Sequence, residues 1–131
     1  ILDGAHNQAG AEKLSAELER IEYNKLILVL SILGDKDYQS ILAELAPRAD
    51  SLILTKNNNQ RAANVEILKE EVLDYDLDLK IEENLEVAVD NVVEDAEEKD
   101  LILIGGSLYT VAQIRSKFVK EWIIYVNCFK L

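Results

Sequence analysis

"KLILVLSI", residues 25–32, is a nearly unbroken apolar run no longer than a single strand. Side chains of a strand point alternately to its two faces, so a strand covered on one side only reads apolar, polar, apolar. A run that is apolar at almost every position suits a strand covered on both faces, as in a parallel sheet held between helices. "SLILT" at 51–55 and "DLILIGGS" at 100–107 have the same character. Between these runs the period changes to that of a helix. "AGAEKLSAELERI" (9–21) sets Leu14, Leu18 and Ile21 at i, i+4 and i+7. Asp37 is a natural cap for a helix carrying Ile41, Leu42 and Leu45, and Pro47 marks its end. A third helix is expected over 64–73. Asn84 can cap a long one with Leu85, Ala88, Val89, Val92, Val93 and Ala96 on its apolar side. "LDLKI" (77–81) alternates weakly and is the faintest strand; "SLYTVAQIRSKF" (107–118) closes the series as a helix. Strand and helix alternate throughout. The pattern predicts an α/β, Rossmann-like fold: a mostly parallel sheet, right-handed crossovers, and helices on both faces.

With 131 residues, 49% hydrophobic and 30% charged, the chain is expected to be one globular domain over 1–131 with a substantial core. No linker or internal repeat divides it. "EWIIYVNCFKL" at its end, with Trp122 and a strand-like run, has no clear place: an added edge strand and a patch facing another domain or subunit both suit it. No apolar run approaches the ~20 residues that span a membrane. The lone Cys128 excludes an internal disulfide, and no Cys and His cluster suits zinc, so a thiol in a reducing cytoplasm is expected. The net charge of −11 is unevenly spread, since residues 66–100 hold 15 Asp+Glu against 3 Lys. Those carboxylates read as solvated helix faces. Without a basic face, nucleic-acid binding is not expected.

In an open parallel sheet, ligands bind beyond the carboxyl ends of the strands. The reactive residues of this chain fall in those places: Asp3, His6 and Asn7 after the first strand; Gly34, Asp35, Lys36 and Asp37 after the second; Asn57 to Arg61 after the third; Gly105, Gly106 and Ser107 after the last. Each cluster also has a plain reading. "GGS" before a helix suits an anion, but it is also a tight turn with a capping serine. "GDKD" can be a solvated turn, although Lys36 would bring a positive charge to the same edge. Arg61 can be a surface arginine, or a fork for a carboxylate or phosphate. His6 is the only histidine, and Asp3 beside it can orient an imidazole. "NNN" at 57–59 reads as a mobile loop. The sequence has no GxxxxGK[ST], GxGxxG or GxSxG motif. The edge offers groups that position ligands but no engine of its own.

"LDGAHN" at 2–7 resembles the motif that opens the C-terminal domain of folylpolyglutamate synthase and dihydrofolate synthase, in the Mur ligase superfamily. "GDKD" at 34–37, "RA" at 61–62 and "GGSLYTVAQIR" at 105–115 are similar to that domain's later motifs, in the same order. The resemblance covers about residues 1–118. It implies a Rossmann-like C-terminal domain of an ATP-dependent ligase, whose phosphate loop lies in an N-terminal ATPase domain of the same parent chain. An opening inside a functional loop and the absence of methionine would then mark an excised piece, inactive alone. The implied reaction adds glutamate to a folate-type acceptor through an acyl phosphate, in the service of one-carbon metabolism. ATP and Mg are the implied cofactors, their main contacts in the ATPase domain. Carried over by motif, Asp3 and Asn7 face the nucleotide, while His6, Lys36 and Ser107 face the amino acid. Arg61 and Asp35 fall at the rim.

Two departures stand out: Gln8 replaces a proline common in such motifs, and 119–131 extends past the similar region. Two other readings stay open on sequence. One is a Mur-type ligase with another acceptor, a cell-wall peptide precursor or a cofactor tail; the other is a non-catalytic binding module of the same fold.

Overall fold

The structure, a computed structural model, describes residues 1–119. Trp122 and Cys128, and the two readings of the tail, lie outside them. In chain order the elements are β1 (Leu2–Asp3), α1 (Gln8–Leu18), β2 (Leu26–Leu30), α2 (Tyr38–Leu45), β3 (Ser51–Lys56), α3 (Val65–Glu70), β4 (Asp78–Asn84), α4 (Leu85–Asp95), β5 (Leu101–Gly105) and α5 (Leu108–Ile114). The strands form one sheet in the order β1-β5-β2-β3-β4, every neighbouring pair parallel.

The two faces of the central strands are written in different residues. Leu26, Leu28 and Leu30 of β2, Leu52 and Leu54 of β3, and Leu103 of β5 face one layer, where α1, α2 and α3 contribute Leu14, Leu18, Ile41, Leu42, Leu45 and Leu68. Val29, Ile53 and Ile104 face the other layer, against Leu85, Ala88, Val89 and Val92 of α4 and Ile114 of α5. Leucine lines one side and β-branched residues line the other, and this is why the sequence looks uniformly apolar. The chain crosses the sheet from β1 to β4 with its helices on one face and returns to β5 with α4 on the other. A constant crossover hand requires that change of face.

Three side-chain caps fall where sequence placed them: Asp37 accepts from Ser40 N, Asn84 from Val87 N and Ser107 from Tyr109 N; Asn64, expected inside the third helix, caps it instead by accepting from Glu66 N. Several boundaries differ from expectation. α1 stops at Leu18, and Ile21 is 39% exposed, because the following residues close with i to i+3 bonds from Arg20 N and Ile21 N. α3 ends at Glu70 for a similar reason, with Glu71 N and Val72 N bonding back to Leu68 and Lys69. Pro47 does end α2, but the chain tightens into a 3₁₀ turn over Ala46–Arg48, whose first positions need no N–H donor. Val93 lies outside the α4 stripe, 48% exposed, because 100° per residue carries it about 80° round from Leu85. β4, the faintest strand in sequence, is seven residues long. As an edge strand it packs only Leu79 and Ile81 against the core, which dilutes its pattern.

Leu28 is fully buried in the central strand while Val93 is half exposed. Leu28→Ala is expected to cost about 2–5 kcal/mol of unfolding free energy. Val93→Ala should change it by no more than about 0.5 kcal/mol. Urea denaturation of the chain checks both, and equal losses would contradict the assigned faces.

Candidate functional site

Because every strand is parallel, the loops after β1, β2, β3 and β5 leave the sheet at one edge. In the first loop, Asp3 is half-buried and its Oδ1 accepts from Ala5 N at 2.8 Å. Burial pushes the Asp3 carboxyl above its ordinary range, opposed by the Ala5 N–H. His6 is oriented by a backbone group, where sequence suggested the Asp3 carboxylate. Its Nδ1 lies 2.9 Å from the Gly4 carbonyl oxygen. A carbonyl only accepts, so Nδ1 carries the proton and Nε2 is the free nitrogen. Asn7 caps α1, its Oδ1 accepting from Gly10 N at 2.8 Å, which leaves the exposed amide nitrogen for other partners. A groove of about 640 Å³ runs beside this loop along β1 and α1; Asp3, His6, Asn7, Lys13 and Glu17 supply its polar wall.

The last loop is pressed against the first. Gly105 pairs with Asp3, and a Cβ there would strike the Asp3 carbonyl oxygen. Gly106 has φ +95°, and a Cβ on it would come within 2.8 Å of the Ser31 carbonyl oxygen. Glycine is required at both positions, by close approach at one and by close approach and conformation at the other. Ser107 is 1% exposed, and its hydroxyl is occupied by Tyr109 N. The structure therefore gives Ser107 the duty of a cap that fixes the start of α5, and brings Leu108 and Tyr109 to the surface beside it.

The second and third loops are joined directly. Gly34 N donates to Arg61 O at 2.7 Å, Ala63 N donates to Ile32 O at 2.8 Å, and Leu33 bridges Ala62. Across this seam Arg61 donates to the Asp35 carboxylate at 2.5 Å, which holds Asp35 below the usual carboxylate range. Lys36 is half-buried next to this pair and forms no ion pair among the described residues. His6 and Lys36 follow strands β1 and β2, between which β5 stands.

The triple asparagine is not the mobile loop expected from sequence. Asn57 is 5% exposed; its N–H donates to Ser31 Oγ at 2.8 Å, its Nδ2 donates to Thr110 Oγ1 at 3.0 Å, and its Oδ1 accepts from Asn59 N at 3.0 Å. Thr110 in turn donates to Ser31 O at 3.0 Å. This buried cluster was missed. Its signals were a serine ending the apolar run of β2 and a threonine on the inner side of "SLYTVAQI". Among the described residues no group of three or more His, Cys, Asp or Glu could hold a metal ion, and no helix is long and apolar enough to cross a membrane.

Residues 1–108 match the family described as Mur ligase, glutamate ligase domain. The dihydrofolate synthase/folylpolyglutamate synthase of Mycobacterium tuberculosis is 36% identical to the chain, over 92% of this chain and 28% of that protein. A crystal structure of the bifunctional folylpolyglutamate synthase/dihydrofolate synthase of Yersinia pestis, complexed with AMPPNP and Mn, superposes with a TM-score of 0.79 at 28% identity, covering 88% of this chain and 28% of that one. A structure of a bifunctional enzyme of that kind with Mn, AMPPNP and L-glutamate bound gives 0.78 at 28% identity, with the same coverage of 88% and 28%. The chain thus spans little more than a quarter of the length of the relatives it matches. By sequence along residues 1–108 and by fold, it belongs to the Mur ligase glutamate ligase domain family.

Proposed function

We propose that this chain is the C-terminal, amino-acid- and nucleotide-side domain of an ATP-dependent ligase that adds glutamate to folate-type acceptors. One observation carries the reading: four loops that meet at a single sheet edge hold the motifs of a family whose relatives are folate ligases, one of them seen with L-glutamate. The proposed chemistry runs in two steps. An acceptor carboxylate oxygen takes the γ-phosphoryl group of ATP, giving an acyl phosphate and ADP. The glutamate amine then attacks the acyl carbon, phosphate leaves, and the nitrogen sheds a proton as the amide forms.

This chain's share would be to bind and orient. Lys36 offers an ammonium group, free of ion pairs among the described residues, to a glutamate carboxylate. The free Nε2 of His6 offers a second polar contact on the same edge. Ser107 acts through the backbone, by fixing the first turn of α5. On the nucleotide side, the second oxygen of Asp3 and the amide nitrogen of Asn7 suit hydroxyl and acceptor groups of a ribose. Arg61, already paired with Asp35, belongs to the rim. In this reading magnesium and the main phosphate contacts would fall to an ATPase domain of the parent protein. Closure of that domain over this edge would exclude water from the acyl phosphate. The isolated chain would bind and not turn over.

His6 gives one imidazole signal in the NMR spectrum of the chain. Titration with Mg-ATP and then L-glutamate is expected to move it saturably, whereas leucine and sulfate should not. No movement with either ligand, or equal movement with the controls, would refute a half-site here.

Asp3 supplies a second test. A carboxyl with a raised folded pKa binds more protons folded than unfolded, so its contribution falls as pH rises from about 3.8 through the folded value. Asp3→Asn keeps an acceptor for Ala5 N without the buried charge. The variant should melt higher than the parent chain at neutral pH, lose that advantage in acid, and respond less to Mg-ATP. An advantage that is the same at both pH values would contradict the assigned burial.

A further inference from the structure

The second and third loops carry the rim pair Asp35–Arg61, and both are exposed. An exposed ion pair of this kind holds little order by itself. The hydrogen bonds that reach it start deep in the molecule. Thr110, 0% exposed in α5, donates to Ser31 O and accepts from Asn57 Nδ2. Asn57 Oδ1 accepts from Asn59 N, Asn59 Oδ1 accepts from Arg61 N at 2.9 Å, and the Arg61 guanidinium holds Asp35. Gln113, one helical turn beyond Thr110, adds a strut by accepting from Asn58 N at 2.7 Å. Three loops are thereby tied to one buried hydroxyl: the exit of β2 through Ser31, the exit of β3 through Asn57, and the first turn of α5 through Thr110 itself. Such a buried network is costly when half-satisfied and specifies one geometry when complete.

We infer that Thr110 and Asn57 are positioning residues, which through Asn59 set where Arg61 and the Gly34–Lys36 turn stand relative to α5. The two side chains would act indirectly. Both are buried, and every polar contact described here for them is internal. Their functional weight rests on the reading of this edge as the ligand site. The geometric claim stands or falls without any ligand. A network that served only to stabilise the core would lower the melting temperature when broken and leave the rim pair as it is. A positioning network must change the rim.

The Asp35 carboxyl reports that change. Arg61 is the main cause of its depressed pKa, with Lys36 adding a smaller attraction. Tyr109, close enough to Arg61 to feel its charge, is the other titratable group in the neighbourhood. Thr110→Val removes the hydroxyl at nearly constant shape, Thr110→Ser keeps it, and Asn59→Ala cuts the chain of bonds at a half-buried position outside the core. In carbon-detected NMR titrations of the whole chain, the Asp35 midpoint is expected to rise toward the ordinary carboxylate range in Thr110→Val and Asn59→Ala. The Arg61 side-chain N–H should exchange faster in both. Thr110→Ser should match the parent. If Thr110→Val fails to fold, Asn59→Ala decides. An Asp35 midpoint and an Arg61 exchange rate unchanged from the parent in the folded variants would overturn the inference. That result would leave the ligase reading intact, because no ligand enters the experiment; failure of glutamate to bind would equally leave the network standing.

Discussion

The structure depends on one constraint, the burial of β2 and β5 from both sides. Leu28, Val29, Leu30 and Leu103 are sealed from solvent, each in contact with one of two helical layers. Fully burying an aliphatic side chain of this size is worth about 1.5–3 kcal/mol, so these strands are also where stability concentrates. A strand without a wet face cannot turn straight back into an antiparallel neighbour and keep helices on both sides. It must return by crossovers, and crossovers make its neighbours parallel. Parallel strands all end on the same edge. The site is thus a by-product of how the core is closed: four loops, far apart in sequence, arrive together because the sheet is buried twice.

Arriving at one edge does not by itself fix the loops to one another. Two kinds of contact do that. Between the first and last loops it is close approach of backbone, where Gly105 lets β1 lie against β5 and Gly106 turns the chain over the Ser31 carbonyl. Between the others it is hydrogen bonding, through the Gly34–Arg61 seam and the buried Ser31–Asn57–Thr110 cluster. Ser31 takes part in both. Its carbonyl lies under Gly106 and accepts from Thr110, and its hydroxyl receives Asn57 N. A residue that reads in sequence as the tail of an apolar run is the place where three of the four loops meet.

The period of apolar residues and most of the caps were legible in the sequence, and with them the α/β class, most of the helical faces and the sheet edge on which the candidate loops gather. Both are local properties, each settled within a turn or two of chain. What could not be read is what depends on partners distant in sequence. β4 looked weakest because an edge strand needs only Leu79 and Ile81 for the core. Val93 looked buried because the width of the α4 stripe is set by the sheet beneath it, not by the helix. Asn57 looked mobile because its partners, Ser31 and Thr110, lie 26 and 53 residues away. In the candidate site, the residue types and their common edge were readable, while the division of labour was not. His6 takes its orientation from a backbone carbonyl, and Asn7 spends its side-chain oxygen on the cap of α1.

Charge completes the picture. A chain with net charge −11 is a poor host for anionic ligands unless its carboxylates are kept away from them. The acidic surplus falls in residues 66–100, which span most of α3, all of β4 and all of α4, and β4 is the edge strand farthest from β1. With strands about 4.8 Å apart, β4 itself stands about 19 Å from β1, while α4 carries the acidic run back across β3, β2 and β5. The His6 loop leaves β1, at the opposite border from β4, whereas the Lys36 loop leaves β2, the middle strand. The acidic surplus visible as a run of letters in the sequence is thus spread over α3, β4 and α4, and the loops after β1, β2, β3 and β5, where the candidate residues gather, lie outside it.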